Sequence, residues 1–175
     1  SRRDASHRGM GTTLTGMAVV HNDGEPRLVV VNVGDSRTYR LRAGRLEQIS
    51  IDHSYVQELV TAGHISATEA RVHPQRNIVT RALGIETAIG VDLWTLPIVT
   101  GDRYLSCSDG LVDEILDETI CDVLCDFPEA AAAVKEFVLF YDSLERAAAC
   151  TMSAAFSIFP FYQFCSYHNY SSILT

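Results

Sequence analysis

Two aspartates stand four residues apart in Tyr104-Leu-Ser-Cys-Ser-Asp-Gly-Leu-Val-Asp-Glu114, the first where an apolar run closes and the second just past an Asp-Gly step. With Asp109 at a strand end and Asp113 in the first turn of a helix, both carboxylates reach one point. Hard divalent cations take such oxygens. Leu28-Val-Val-Val-Asn-Val-Gly-Asp-Ser-Arg-Thr-Tyr-Arg40 repeats the construction, with an apolar run that delivers Asp35 to a Gly-containing turn from which a second strand leaves. Asp35, Asp109 and Asp113, each at a rim, outline a metal site. The alternative is that each is a turn or cap residue, because Asp-Gly is a common turn dipeptide and Asp a common helix cap.

The elements that must position these residues follow from periodicity. Thr12 to His21 is β-branched and apolar, Asn22 to Pro26 is a turn cluster, and Leu28 to Val33 is a returning strand apolar enough to be buried on both faces. Arg37 to Arg42 and Arg45 to Ser50 alternate around Ala43-Gly44, a hairpin with Tyr39, Leu41, Leu46 and Ile49 inward. Four such strands in succession predict a meander. Asp52 then reads as the N-cap of a helix carrying Val56, Leu59 and Val60 that stops at Gly63. Ser66-Ala-Thr-Glu69 is a capping box for a second short helix, ended by His73-Pro74. A connector, Asn77 to Gly84, leads to strands at Val91 to Leu96 and Tyr104 to Cys107. Beyond Asp113, Leu116, Ile120, Val123 and Leu124 share a helix face, and Pro128 stands at the first position of another helix with Val134, Phe137, Val138 and Tyr141 inward.

With 175 residues the chain can bury one substantial core, and its net charge of -8 makes it a poor ligand for a phosphate backbone, so nucleic acid is excluded as a partner. The odd set Cys107, Cys121, Cys125, Cys150 and Cys165 has no CxxC pair and reads as thiols in a reducing compartment rather than a zinc site. The chain opens Ser1-Arg-Arg-Asp without the apolar core of a secretory signal, and Ser, Thr, Gln and Pro interrupt its aromatic tail, which predicts a cytoplasmic protein without a membrane span. His53, His64 and His73 can titrate near neutrality, or be plain surface residues. Arg37, Arg76 and Arg81 suit bidentate contact with phosphate, or each forms a solvated ion pair.

Five ordered blocks carry a resemblance. Gly9-Met-Gly-Thr-Thr-Leu-Thr15, Val33-Gly-Asp-Ser-Arg37, Asp52-His-Ser54, His73-Pro-Gln-Arg-Asn-Ile-Val-Thr-Arg-Ala-Leu-Gly84 and Gly101-Asp-Arg-Tyr-Leu-Ser-Cys-Ser-Asp-Gly-Leu111 resemble, in that order, the bacterial metal-dependent protein phosphatases of the PPM, or type-2C, family. The resemblance implies an α+β, four-layer α-β-β-α sandwich of two antiparallel sheets. It further implies hydrolysis of phosphoserine and phosphothreonine in proteins by two to three Mn2+ or Mg2+ ions, with a metal-bound water rather than a side chain as nucleophile. By motif, Asp109 matches the aspartate of the central metal pair, and Asp35 and Asp113 match ligands of an accessory third ion. Gly34 and Gly110 would let the backbone approach the ions. The implied partners are phosphorylated proteins and a serine/threonine kinase acting on the same targets, and the excursion from Asp52 to Gly84 is similar to the segment beside the active site that includes the family's mobile flap.

The family's opening Asp-containing segments and its closing Asp-Asn strand have no counterpart, so the sandwich is expected to be incomplete at both ends. Residues 1–126 match the central part of such a domain. Residues 127–175 form a helix and an aromatic-rich tail that depart from the pattern from about residue 134, as a truncated or frameshifted reading frame would. The alternatives to an enzyme are a non-catalytic pseudophosphatase that binds partners and a product without activity.

Overall fold

The computed structural model describes residues 11–22, 24–85, 88–148 and 156–160. Its elements in chain order are β1 (Leu14–Asn22), β2 (Glu25–Val33), β3 (Arg37–Arg42), β4 (Arg45–Gln48), α1 (Tyr55–Thr61), α2 (Ala67–Arg71), β5 (Asp92–Pro97), β6 (Arg103–Cys107), α3 (Asp109–Glu114), α4 (Asp117–Asp126), α5 (Ala130–Ala148) and β7 (Phe156–Pro160). They form one three-stranded sheet, β1-β2-β5, and one four-stranded sheet, β4-β3-β6-β7, so the chain is α+β. The meander is not what forms. β1 and β2 pair antiparallel from Leu14↔Val33 to Asn22↔Glu25, but β3 joins the other sheet. The change of sheet falls at Gly34, whose φ of 105° turns the backbone where an L side chain is disfavoured.

Two compact units divide the chain, residues 1–39 with 47–99 and residues 40–46 with 100–175. In the first, β2 alternates rather than lying buried throughout: Leu28, Val30 and Asn32 are buried, while Val29 and Val31 are only half-buried. Their face continues on β5, where Val31 pairs with Leu93, itself 62% exposed. The hairpin fits its sequence pattern, since Tyr39, Leu41 and Ile49 are buried, and Ala43 (φ 48°) with Gly44 (φ 73°) makes the two-residue left-handed turn that the strand twist favours. Helix α1 is capped by Ser54, whose Oγ accepts from the Gln57 N–H, and not by Asp52, which is engaged elsewhere. The box at α2 forms as expected, with Ser66 Oγ accepting from the Glu69 N–H and Glu69 accepting from the Ser66 N–H.

In the second unit Tyr104, Leu105 and Cys107 of β6 are buried, as are Leu111, Val112, Ile115, Ile120, Val123, Leu124, Ala133 and Phe137. Asp113 is followed by a break rather than a continuing helix: Ile115 ends α3 in extended backbone, and Leu116, at the cap of α4, is 53% exposed. Pro128 lies two residues before α5, not at its first position, and Val138 is 44% exposed although Phe137 is fully buried. The aromatic tail adds a strand, β7, which pairs antiparallel with β6 from Arg103↔Pro160 to Cys107↔Phe156. Cys150, Cys165 and the tail beyond Pro160 lie outside the described residues, as does the side chain of Tyr141. No helix among the described residues is long and apolar enough to cross a membrane.

Asp102 anchors this unit. Its side chain is 1% exposed, receives Arg42 Nε at 2.6 Å and Nη2 at 2.5 Å, and accepts from the Tyr104 hydroxyl at 3.1 Å. Burial, reinforced by the Asp102 charge, pushes the Tyr104 phenol up to about 12. The folded chain therefore keeps a proton that the unfolded chain releases above about 10. Stability is full below that pH and falls as pH rises through the window to about 12. Alkaline unfolding followed by circular dichroism should show this loss, and Tyr104→Phe should flatten it.

Candidate functional site

In the first unit the apolar strand β2 ends in a bend, Gly34-Asp35, before β3 departs. A Cβ at Gly34 would lie 2.3 Å from Thr13 Cγ2 and 2.6 Å from Thr13 Cβ, so the glycine is required by packing as well as by its positive φ. Its role here is close approach to Thr13. Gly34→Ala should destabilise the chain by at least about 2 kcal/mol in urea denaturation, the left-handed penalty plus the clash. Asp35 itself is half-buried.

Arg37 opens β3 with its fork already committed. Nε lies 3.0 and 2.9 Å from the two Asp52 oxygens, Nη2 lies 2.7 Å from Oδ2, and Nη1 donates to the Tyr39 hydroxyl at 3.0 Å. Burial works against the guanidinium charge, but the hydrogen bonds and charge of Asp52 outweigh it and hold Arg37 above the usual arginine range. This is an ion pair, as the alternative reading had it, though a part-buried rather than a solvated one.

Arg81 is also engaged, and it exposes a cluster that sequence reasoning missed. Its Nη1 donates to Asp92 Oδ1 at 2.8 Å, while His53 Nε2 lies 3.0 Å from Asp92 Oδ2. His53 is 6% exposed, so it is neither of the surface histidines envisaged. The hydrogen bond from His53, with that from Arg81, holds the Asp92 carboxyl below the ordinary range. The only trace in the sequence is an acid at the start of a strand pattern, Val91-Asp-Leu-Trp. Arg76, in contrast, is exposed.

In the second unit Asp109 is the first residue of α3, not the last of a strand, and Asp113 sits one turn later near the end of the same helix. The spacing of four still places both on one helical face. Asp109 Oδ1 accepts the Gly110 N–H at 2.9 Å, a local turn that holds the carboxylate against its own backbone. Asp109 is half-buried, Asp113 exposed and Gly110 buried. Cys107, Cys121 and Cys125 are thiols, with Cys121 Sγ 3.5 Å from the Gly44 carbonyl.

Known proteins share both the sequence and the fold. No family model matches the chain. The serine/threonine protein phosphatase PstP of Mycobacterium tuberculosis is 46% identical over 131 residues, which cover 74% of this chain and 24% of PstP. The solved structure of serine/threonine phosphatase Stp1 from Staphylococcus aureus superposes with a TM-score of 0.77 at 32% identity, over 90% of this chain and 58% of that one. That of the PstP catalytic domain in complex with two manganese ions does so with a TM-score of 0.66 at 37% identity, over 86% of this chain and 58% of that one. The chain belongs to the bacterial PPM phosphatase family. It spans little more than half of the solved PPM chains and a quarter of PstP.

Membership of the PPM family implies divalent metals, and the residues present can be tested for fit. Oxygen donors of the right kind are here, Asp109 and Asp113 on α3 and Asp35 on the β2–β3 bend. Among the described residues no three His, Cys, Asp or Glu side chains are grouped so as to hold a metal ion. The donors suit divalent ions in type, and the described residues do not gather them into one set.

Proposed function

We propose that residues 1–126 are the central part of a PPM catalytic domain whose activity is Mn2+- or Mg2+-dependent hydrolysis of phosphoserine and phosphothreonine in cytoplasmic proteins, among them the targets of a serine/threonine kinase. The observation that carries this reading is the 46% identity to PstP over 131 residues. Asp109 is the proposed ligand of the central metal pair, with Gly110 beside it, and Asp35 and Asp113 those of a third ion. Bound divalent ions would supply Lewis acidity toward the phosphoryl group and a water of lowered pKa. Of the three arginines, the exposed Arg76 is the proposed phosphate contact, because Arg37 already spends its donors on Asp52 and Tyr39 and Arg81 is tied to Asp92 through Nη1. The sequence of residues 127–175 leaves the family's motif pattern from about residue 134.

A second reading, a non-catalytic PPM module that binds partners, is favoured by one observation: the missing three-donor group among the described residues. A hybrid PstP catalytic domain carrying residues 11–126 of this chain in place of its own matching stretch separates the two. In such a hybrid the host supplies what lies outside the transplanted stretch, so activity reports whether the stretch itself is competent. The enzymatic reading expects Mn2+-stimulated release of phosphate from a phosphothreonine peptide, and the module reading expects none.

A further inference from the structure

His53 is a junction. Its backbone N–H donates to the Gly34 carbonyl at 2.9 Å, its carbonyl accepts from the Thr80 N–H at 2.8 Å, and its neighbours Ser54 and Tyr55 meet Val79 and Ile78. The side chain, 5% exposed, repeats both connections. Nδ1 lies 3.0 Å from the Gly34 nitrogen, and since a backbone amide only donates, Nδ1 is the acceptor. The ring proton therefore sits on Nε2 and is given to Asp92 Oδ2 at 3.0 Å. Arg81 Nη1, 3.0 Å from Nε2, is a second donor aimed at the same carboxylate and forms no hydrogen bond to the ring. Asn32, fully buried, adds its Nδ2 to the Gly34 carbonyl at 3.0 Å. Gly34 is thus gripped at both its N–H and its C=O, which fixes the peptide units on either side of it.

We propose that His53 is a positioning residue, which transmits the arrangement of Ile78 to Arg81 and of Asp92 to the Gly34-Asp35 bend and so sets where the Asp35 carboxylate is presented. The catalytic consequence rests on the reading of Asp35 as a metal ligand; the mechanical link does not. Asp92 and Arg81 fix the ring, the ring fixes Gly34, and Asp35 follows in the chain. A change at Asp92, which touches no atom of Gly34 in the hydrogen-bond network, is therefore felt at the bend.

The test uses the full 175-residue chain, labelled with 15N and free of metal. Imidazole nitrogen spectra should show His53 with a bare Nδ1 and a protonated Nε2. His53→Ala should speed exchange of the Gly34 amide at least about 10-fold, the effect of leaving one buried donor unpaired. Val30, in the adjoining strand β2, serves as the reference for global opening and should not follow. His53→Asn, whose Oδ1 falls where Nδ1 was, should restore protection. Asp92→Ala should also speed Gly34 exchange, and it decides the matter if His53→Ala does not fold. A proton on Nδ1, or a Gly34 amide indifferent to Asp92→Ala, overturns the proposal. Mn2+ added to the hybrid PstP catalytic domain tests the underlying reading separately: failure to broaden the Asp35 amide there removes Asp35 as a ligand, whatever Gly34 does.

Discussion

Asp52→Ala should cost the chain about 3–5 kcal/mol, the loss that follows when one partner of a buried ion pair is removed and the other charge is left stranded. The side chains of Arg37 and Asp52 are only 22% and 8% exposed, so water cannot resolvate the guanidinium once its partner is gone. Two further groups lose their anchor at the same time: Gln48 Nε2, which donates to Asp52 Oδ1 at 3.0 Å, and the Tyr39 hydroxyl, which Arg37 orients. Urea denaturation at neutral pH measures the effect. Asp52→Asn, which keeps the shape, should fall between the two, and Arg37→Ala combined with Asp52→Ala should cost less than the sum of the singles. A loss below about 1 kcal/mol would mean that the pair behaves as a solvated surface bridge.

The same pair shows why part of this structure was legible in the sequence and part was not. Local rules found what local chemistry decides. The Ser66–Glu69 box and the Ala43-Gly44 turn are present, and of the inward set Tyr39, Leu41, Leu46 and Ile49 all are buried but Leu46, which is half-buried. They failed where a partner distant in the chain had a stronger claim. Asp52 has the composition of a helix cap, but Arg37, fifteen residues away, holds it, so Ser54 caps α1 instead. His53 lies in the Asp52-His-Ser54 block, but nothing adjacent to it in the chain reveals its role, because its partners are Gly34 and Asp92. The continuous apolar run in β2 suggested burial on both faces, yet the face shared with Leu93 is only partly covered. Period alone does not report what lies over a sheet.

At the candidate site the residue types were legible and the local geometry was not. The Asp-Gly-Leu-Val-Asp spacing suggested two carboxylates reaching one point from a strand end and a helix start, whereas both Asp109 and Asp113 lie inside α3. A buried strand, β6, delivers the helix, and Leu111 and Val112 anchor it, which leaves Asp113 outward. The arginines illustrate the converse. Two of the three candidates for phosphate turned out to be tied to carboxylates, a choice made by the fold and invisible in composition.

The account turns on Asp109, and its replacement in the PstP hybrid is the second large effect expected. A ligand that contributes charge directly to a metal pair should matter more than the outer-shell groups whose loss costs about 10–100-fold, so Asp109→Ala is expected to lower Mn2+-dependent phosphate release by at least about 100-fold. Because Asp109 is half-buried at the first position of α3 and bonds only its own Gly110 N–H among the contacts described, the substitution should leave the thermal midpoint of the hybrid nearly unchanged. Metal affinity and activity should fall together while the fold stands. The decisive measurement is therefore phosphate release from a phosphothreonine peptide by the hybrid and its Asp109→Ala variant across a Mn2+ titration. The account predicts a folded variant whose activity is lost and is not restored by raising Mn2+ to concentrations that saturate the parent, whereas a variant as active as the parent would contradict it.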